Sequence, residues 1–172
     1  REQITELVDE LNNIGRGFNV NKDFVLKASL VLCNIKNIKF KVDNFNKANM
    51  SKIEENWNLI RRALFQATSL AASFGYSGET LKSNNALIPI AYYLMVIGLP
   101  KNFETSSSTV KNREKIKNWL IRALLKGVFG GGPDTVLVRI RDVIWENGKN
   151  DFPLEKIIDN FRGTSKTIIF SE

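Results

Sequence analysis

The chain has 172 residues, with 25 Lys and Arg against 18 Asp and Glu, a formal charge of +7 and a pI near 9.6. Hydrophobic residues at 43% and aromatic residues at 10% are too abundant for a disordered segment, and they allow a sizeable core in one domain or two small ones. No His is present, which removes imidazole bases, Ser-His-Asp and Cys-His nucleophiles and His-containing metal sites, and the single Cys33 excludes an intrachain disulfide.

Residues 3–14 place Ile4, Leu7, Val8, Leu11 and Ile14 on one face, the spacing of a short amphipathic helix, and Gly15 and Gly17 end it. A second helix is expected over 22–34, capped by Asn21 or Asp23, with Phe24, Val25, Ala28 and Leu32 on its apolar side. Cys33 lies in its apolar run LVLCNI, where packing in a reducing, cytoplasmic compartment is the expected role. From Asn34 to Asn49, Ile38, Phe40 and Val42 alternate with lysines; a short strand fits, but an extended, partly buried connection is the stronger expectation.

Ser51 stands in capping-box spacing before Glu54, so a long helix is expected from there to Phe74, with Ile53, Trp57, Ile60, Leu64, Ala67 and Ala71 buried and Gly75 as its stop. The run ALIPIAYYLMVIGLP is shorter than the roughly 20 residues a membrane span requires. It predicts a central, buried apolar helix at about 85–97, with Pro89 near its first turn, and no membrane partner.

KNFETSSS, from Lys101 to Ser108, reads as an exposed mobile loop. The helix that follows, to Lys126 or Val128, turns Ile116, Leu120, Ala123, Leu124 and Gly127 inward and Lys111, Lys115, Asn118, Arg122 and Lys126 outward. GGG and Pro133 break it, Asp134 is expected to cap a helix over 135–146, and a short helix at 153–160 precedes a weak tail. These elements predict an all-α, compact bundle of about six to seven helices in one domain, with 1–20 and 161–172 as peripheral segments. A first residue of Arg1 rather than Met suggests a fragment of a larger protein.

Residues 109–128 carry six Lys/Arg against Glu114, and the outward Lys111, Lys115, Asn118, Arg122 and Lys126 form the candidate nucleic-acid face; a solvated or partner-bridging surface is the ordinary alternative. Residues 22–52 add seven lysines against Asp23 and Asp43, so the positive charge is regional. Lys82, Ser83 and Asn84, just before the apolar helix, form a candidate anion corner, with simple helix capping as the plainer reading. KGVFGGGPD is not a phosphate loop, because its Lys precedes the glycines. Arg61, Arg62, Arg139 and Arg141 suit carboxylate pairing as well as phosphate. The carboxylates show no two-metal arrangement, so no metal or cofactor is expected. Trp57, Trp119 and Trp145 are expected to be core anchors.

Taken together, DFVLKASLVLCN (23–34), FKVDNFNKAN with IEENW (40–57), LKSNNALIPIAYYL (81–94) and IKNWLIRALLKGVFGGGPDTVLVRIR (116–141) resemble the helical portion of the GmrSD-like family of ParB-fold nuclease proteins, associated with restriction and phage defence. The resemblance covers about residues 18–145 and rests on the order of several diffuse motifs. In that family the chemistry resides in an N-terminal ParB/sulfiredoxin-like domain with a DGQQR-type motif, and in some members in a C-terminal HNH domain. This sequence contains neither DGQQR nor a His. The resemblance therefore implies a non-catalytic helical module whose partners are an N-terminal ParB-like nuclease domain of the same protein and DNA. A purely structural, oligomerisation or protein-interaction domain is the alternative, and an enzyme with a site hidden by sequence separation is a third.

Overall fold

A computed structural model describes residues 2–170, so the outermost residues of both expected peripheral segments lie outside the described residues. Those residues form eight α-helices and no strand: α1 (Glu2–Asn12), α2 (Lys22–Leu32), α3 (Lys47–Glu55), α4 (Trp57–Ser73), α5 (Leu87–Val96), α6 (Val110–Leu125), α7 (Pro133–Asn147) and α8 (Leu154–Phe161). Every helix contributes to one hydrophobic cluster, from Leu7 and Leu11 of α1 to Phe161 of α8, and Ile168 of the tail joins it. None of the described helices is long and apolar enough to cross a membrane.

The apolar run follows its composition: Leu87 to Leu94 are all buried, and α5 packs against α2, α4 and α7. It starts later than expected, because Asn84–Ala86 form a 3-10 turn that delivers Pro89 into the first α-helical turn. Asn21 caps α2 as expected, its side chain accepting from the Phe24 N–H. After α1, Gly15 adopts φ +58°, and a Cβ there would come within 3.2 Å of Ala72 Cβ, so the chain reverses against α4 only with glycine.

Several local expectations are corrected. The long helix from Ser51 to Phe74 is two helices, interrupted at Asn56, whose side chain donates to the Lys52 carbonyl at 2.8 Å and competes for an acceptor of the helix ladder. Ser51 lies within α3, which is capped by Asn46, its side chain accepting from the Asn49 N–H at 2.9 Å. Asp134 does not cap α7. Gly132, with φ 60°, takes that place, Pro133 opens the helix, and Asp134 is free to pair with Lys27 of α2. The stretch 101–108 is largely exposed, as expected, but it is anchored at one point: Phe103 is buried, and Arg113 Nη1 donates to the carbonyls of Phe103 at 2.8 Å and Ser106 at 2.6 Å.

Of the tryptophans, Trp119 is buried and Trp57 half-buried, but Trp145 is 61% exposed on α7 and anchors no core.

Candidate nucleic-acid interface

The outward face of α6 is as basic as expected, but much of it is occupied by the chain itself. Lys115 Nζ lies 3.0 Å from Asp151 Oδ2. Asn118 Oδ1 accepts from Arg122 Nε at 2.6 Å, and Arg122 Nη1 donates to the Ile168 carbonyl at 3.0 Å. Arg122 and Lys126 both face the Phe170 ring, at 5.7 and 4.9 Å from its centroid. The C-terminal tail thus contacts the C-terminal half of the stripe; among the described residues Lys111 and Lys126 are exposed and form no ion pair, and Lys126 lies against the Phe170 ring.

The predicted anion corner is likewise tied into the fold. Asn84 Nδ2 donates to the Asn19 carbonyl at 3.0 Å, Lys82 Nζ donates to the Glu79 carbonyl at 3.2 Å, and Ser83 makes no side-chain cap. The 3-10 turn consumes the Ala86 and Leu87 amides that an anion at this helix start would use.

The structure gathers a different basic surface around the link after α2. Ile35 and Ile38 are buried, which draws residues 35–41 back along the bundle. Asparagines fix its shape: Asn37 Oδ1 accepts from the Lys39 N–H at 3.1 Å and from Asn44 Nδ2 at 3.2 Å, Asn44 Nδ2 also donates to the Lys39 carbonyl at 2.5 Å, and Asn49 Nδ2 donates to the Asn44 carbonyl at 2.8 Å. The link is an extended connection ending in a 3-10 turn at Val42–Phe45, with no strand. Lys36, Lys39 and Lys41 are exposed and form no ion pair among the described residues. Between them Phe40 is 46% exposed, its ring held edge-on by Phe45 with centroids 5.5 Å apart.

Two shallow clefts flank this loop. One, of about 440 Å³, lies between Lys36 and Lys39 and the first turns of α7, where Thr135 and Arg139 line it. The other, of about 410 Å³, brings Phe40 beside Lys27, Asn84 and Asn85. Asn84 of the predicted corner therefore meets the 22–52 basic region. Lys27 is neutralised by Asp134, and Arg139 is committed to α8 through Asn160 and the Phe161 ring, 4.6 Å from its centroid. Of the cations lining these two clefts, Lys36 and Lys39 form no ion pair among the described residues. Unpaired ammonium groups and a half-exposed ring in one segment suit contact with phosphates and stacking of a base.

The remaining reactive groups have internal roles. Arg61 is held by Glu10 at 2.6 Å, one of the two roles its sequence left open, and that hydrogen bond raises its pKa. Arg141 is buried, its Nη1 donating at 3.1 Å to the Val31 carbonyl at the end of α2, and burial lowers its pKa. Burial pushes the Cys33 thiol up, against the opposing pull of Lys52, which disfavours the thiolate. Among the described residues no group of three or more Cys, Asp or Glu is placed to hold a metal ion.

In the sequence, residues 36–41 stand out as part of a regional charge and as an alternation of apolar residues with lysines, without marking a site. The signal that singles them out is aromatic and basic alternation, K-F-K, inside an Asn-rich stretch that builds its own turns. No protein-family model matches the chain, and no curated protein matches it.

Proposed function

We propose that this chain is a non-catalytic, cytoplasmic helical module, built with α5 as its central helix, that contacts nucleic-acid phosphates. Its proposed setting is that implied by the motif resemblance: a restriction-associated protein in which it supports an N-terminal ParB-fold nuclease domain. The observation that carries the nucleic-acid reading is the loop that exposes unpaired Lys36, Lys39 and Lys41 in the same short segment as the half-exposed Phe40. Phosphate contacts dominate such an interface, so sequence preference is weak and salt dependence strong.

The test is the affinity of the chain for single-stranded and duplex oligonucleotides across a salt series. Replacing Lys36, Lys39 and Lys41 together by Ala is expected to reduce the slope of log affinity against log salt by about 2, since each phosphate contact contributes roughly 0.7–0.9. A Lys111/Lys115/Arg122 triple Ala variant is expected to do less, because two of its residues already bond within the chain. Absence of binding at low salt overturns the reading and favours protein docking, for which the 61% exposed Trp145 is the first surface to probe.

A further inference from the structure

A separate cleft of about 430 Å³ opens between α4, the end of α1 and the turn after α5. Arg62, Phe65 and Gln66 reach it from one face of α4, at the three- and four-residue spacings that align side chains on a helix. Phe65 is 44% exposed there. The opposite wall is the chain leaving α5, which passes through Gly98 at φ 85° and Leu99 at φ 52°. Leu99 is a side-chain-bearing residue in the left-handed region, and it is nonetheless buried.

That turn presents the Pro100 carbonyl to Gln66, whose Nε2 donates to it at 2.7 Å. Gln66 Oε1 is left buried and without a hydrogen bond, and it is the sole side-chain atom in that state among the described residues. Reversing the amide offers no remedy, since it sets an oxygen against the Pro100 carbonyl oxygen. A buried acceptor of this kind calls for a donor.

The charge at the cleft is positive. Glu10 is spent on Arg61, whereas Arg62 and Lys101 form no ion pair among the described residues, and Glu104 is the other carboxylate at the rim.

We propose that this cleft is a binding site for a small aromatic anion, of the size and chemistry of a nucleoside monophosphate. The ring lies on Phe65 beside the Gln66 side chain, and the phosphate sits between Arg62 and Lys101. The site is independent of the lysine loop and of the nucleic-acid reading.

The experiment is a titration of the isotope-labelled chain with the four common ribonucleoside monophosphates, beside inorganic phosphate, followed by nuclear magnetic resonance. At least one nucleotide is expected to shift the Gln66 side-chain amide and the Phe65 and Lys101 backbone amides saturably, in the sub-millimolar range. An Arg62→Ala/Lys101→Ala double variant is expected to weaken binding about tenfold or more, and Phe65→Leu several-fold, with the fold verified by amide dispersion. The triple Lys36/Lys39/Lys41→Ala variant is expected to bind unchanged. The proposal is overturned by the absence of saturable shifts at millimolar nucleotide, by inorganic phosphate binding equally well, or by loss of binding in the loop variant in place of the cleft variant.

Discussion

Asn112 shows how one uncharged side chain on a basic helix joins three elements. Its Nδ2 donates to Tyr93 Oη of α5 at 2.7 Å, and its Oδ1 accepts from the Phe152 N–H between α7 and α8 at 2.8 Å. Tyr93 Oη in turn donates to the Asn150 carbonyl. The Tyr93 and Phe152 rings meet edge to face at 5.3 Å, and Trp119 lies 5.9 Å from Phe152. Replacing Asn112 by Ala leaves a main-chain donor without its partner, and a loss of about 2 kcal/mol in urea unfolding is expected. A change below about 0.5 kcal/mol indicates that water replaces the amide. Nothing in the local sequence marks this residue, because it sits between Lys111 and Arg113 on a helix read as a charged face. Trp145 teaches the converse: a tryptophan beside an apolar stripe is placed in or out of the core by which neighbouring helix covers it.

Between elements, the Lys27–Asp134 pair links α2 to the first turn of α7, with side chains 16% and 31% exposed. The carboxylate also faces the positive end of the α7 dipole. Asp134→Ala is expected to cost about 1–2 kcal/mol in denaturant unfolding, between the values for exposed and buried pairs. An unchanged midpoint shows that the pair contributes nothing net. Helix existence was legible from apolar periodicity for α1, α2, α4, α6 and α7, and from an unbroken apolar run for α5. The errors are at ends: Asn46 and Gly132 occupy the cap positions assigned to Ser51 and Asp134, since several polar residues compete for each terminus and tertiary partners select among them. Asn56 splits α3 from α4 through a side-chain bond to Lys52 that periodicity does not register.

For the molecule as a whole, burial pushes up the pKa of each of its three tyrosines, Tyr76, Tyr92 and Tyr93, from the ordinary 10.0. The charge of Arg141 and then the hydrogen bond to Asn34 oppose the shift at Tyr92, and the hydrogen bond with Asn112 opposes it at Tyr93, without reversing either. Desolvation penalises the phenolate, so the folded pKa exceeds the unfolded one. The associated stability is therefore fully present below pH 10 and is lost as pH rises through the folded values. Tyrosinate absorbance of the native chain is expected to lag that of the urea-unfolded chain and to rise together with loss of helical circular dichroism. Coincident titration of the native and unfolded chains contradicts this.

By itself the sequence determined the all-α class, the apolar character of α5, the lack of imidazole chemistry and the regional positive charge, because these depend on composition and local periodicity. Only the tertiary structure decided which of those charges are available. Ile168 and Phe170 of the tail occupy Arg122 and Lys126, Asp151 takes Lys115, and Lys36, Lys39 and Lys41 stand exposed where Ile35 and Ile38 are buried. The same applies to the cleft at Gln66, whose unpaired acceptor arises where a turn 34 residues further along the chain meets α4. An ion pair or a cleft depends on which residues meet across long stretches of chain, and that is fixed by how helices bury their apolar faces together.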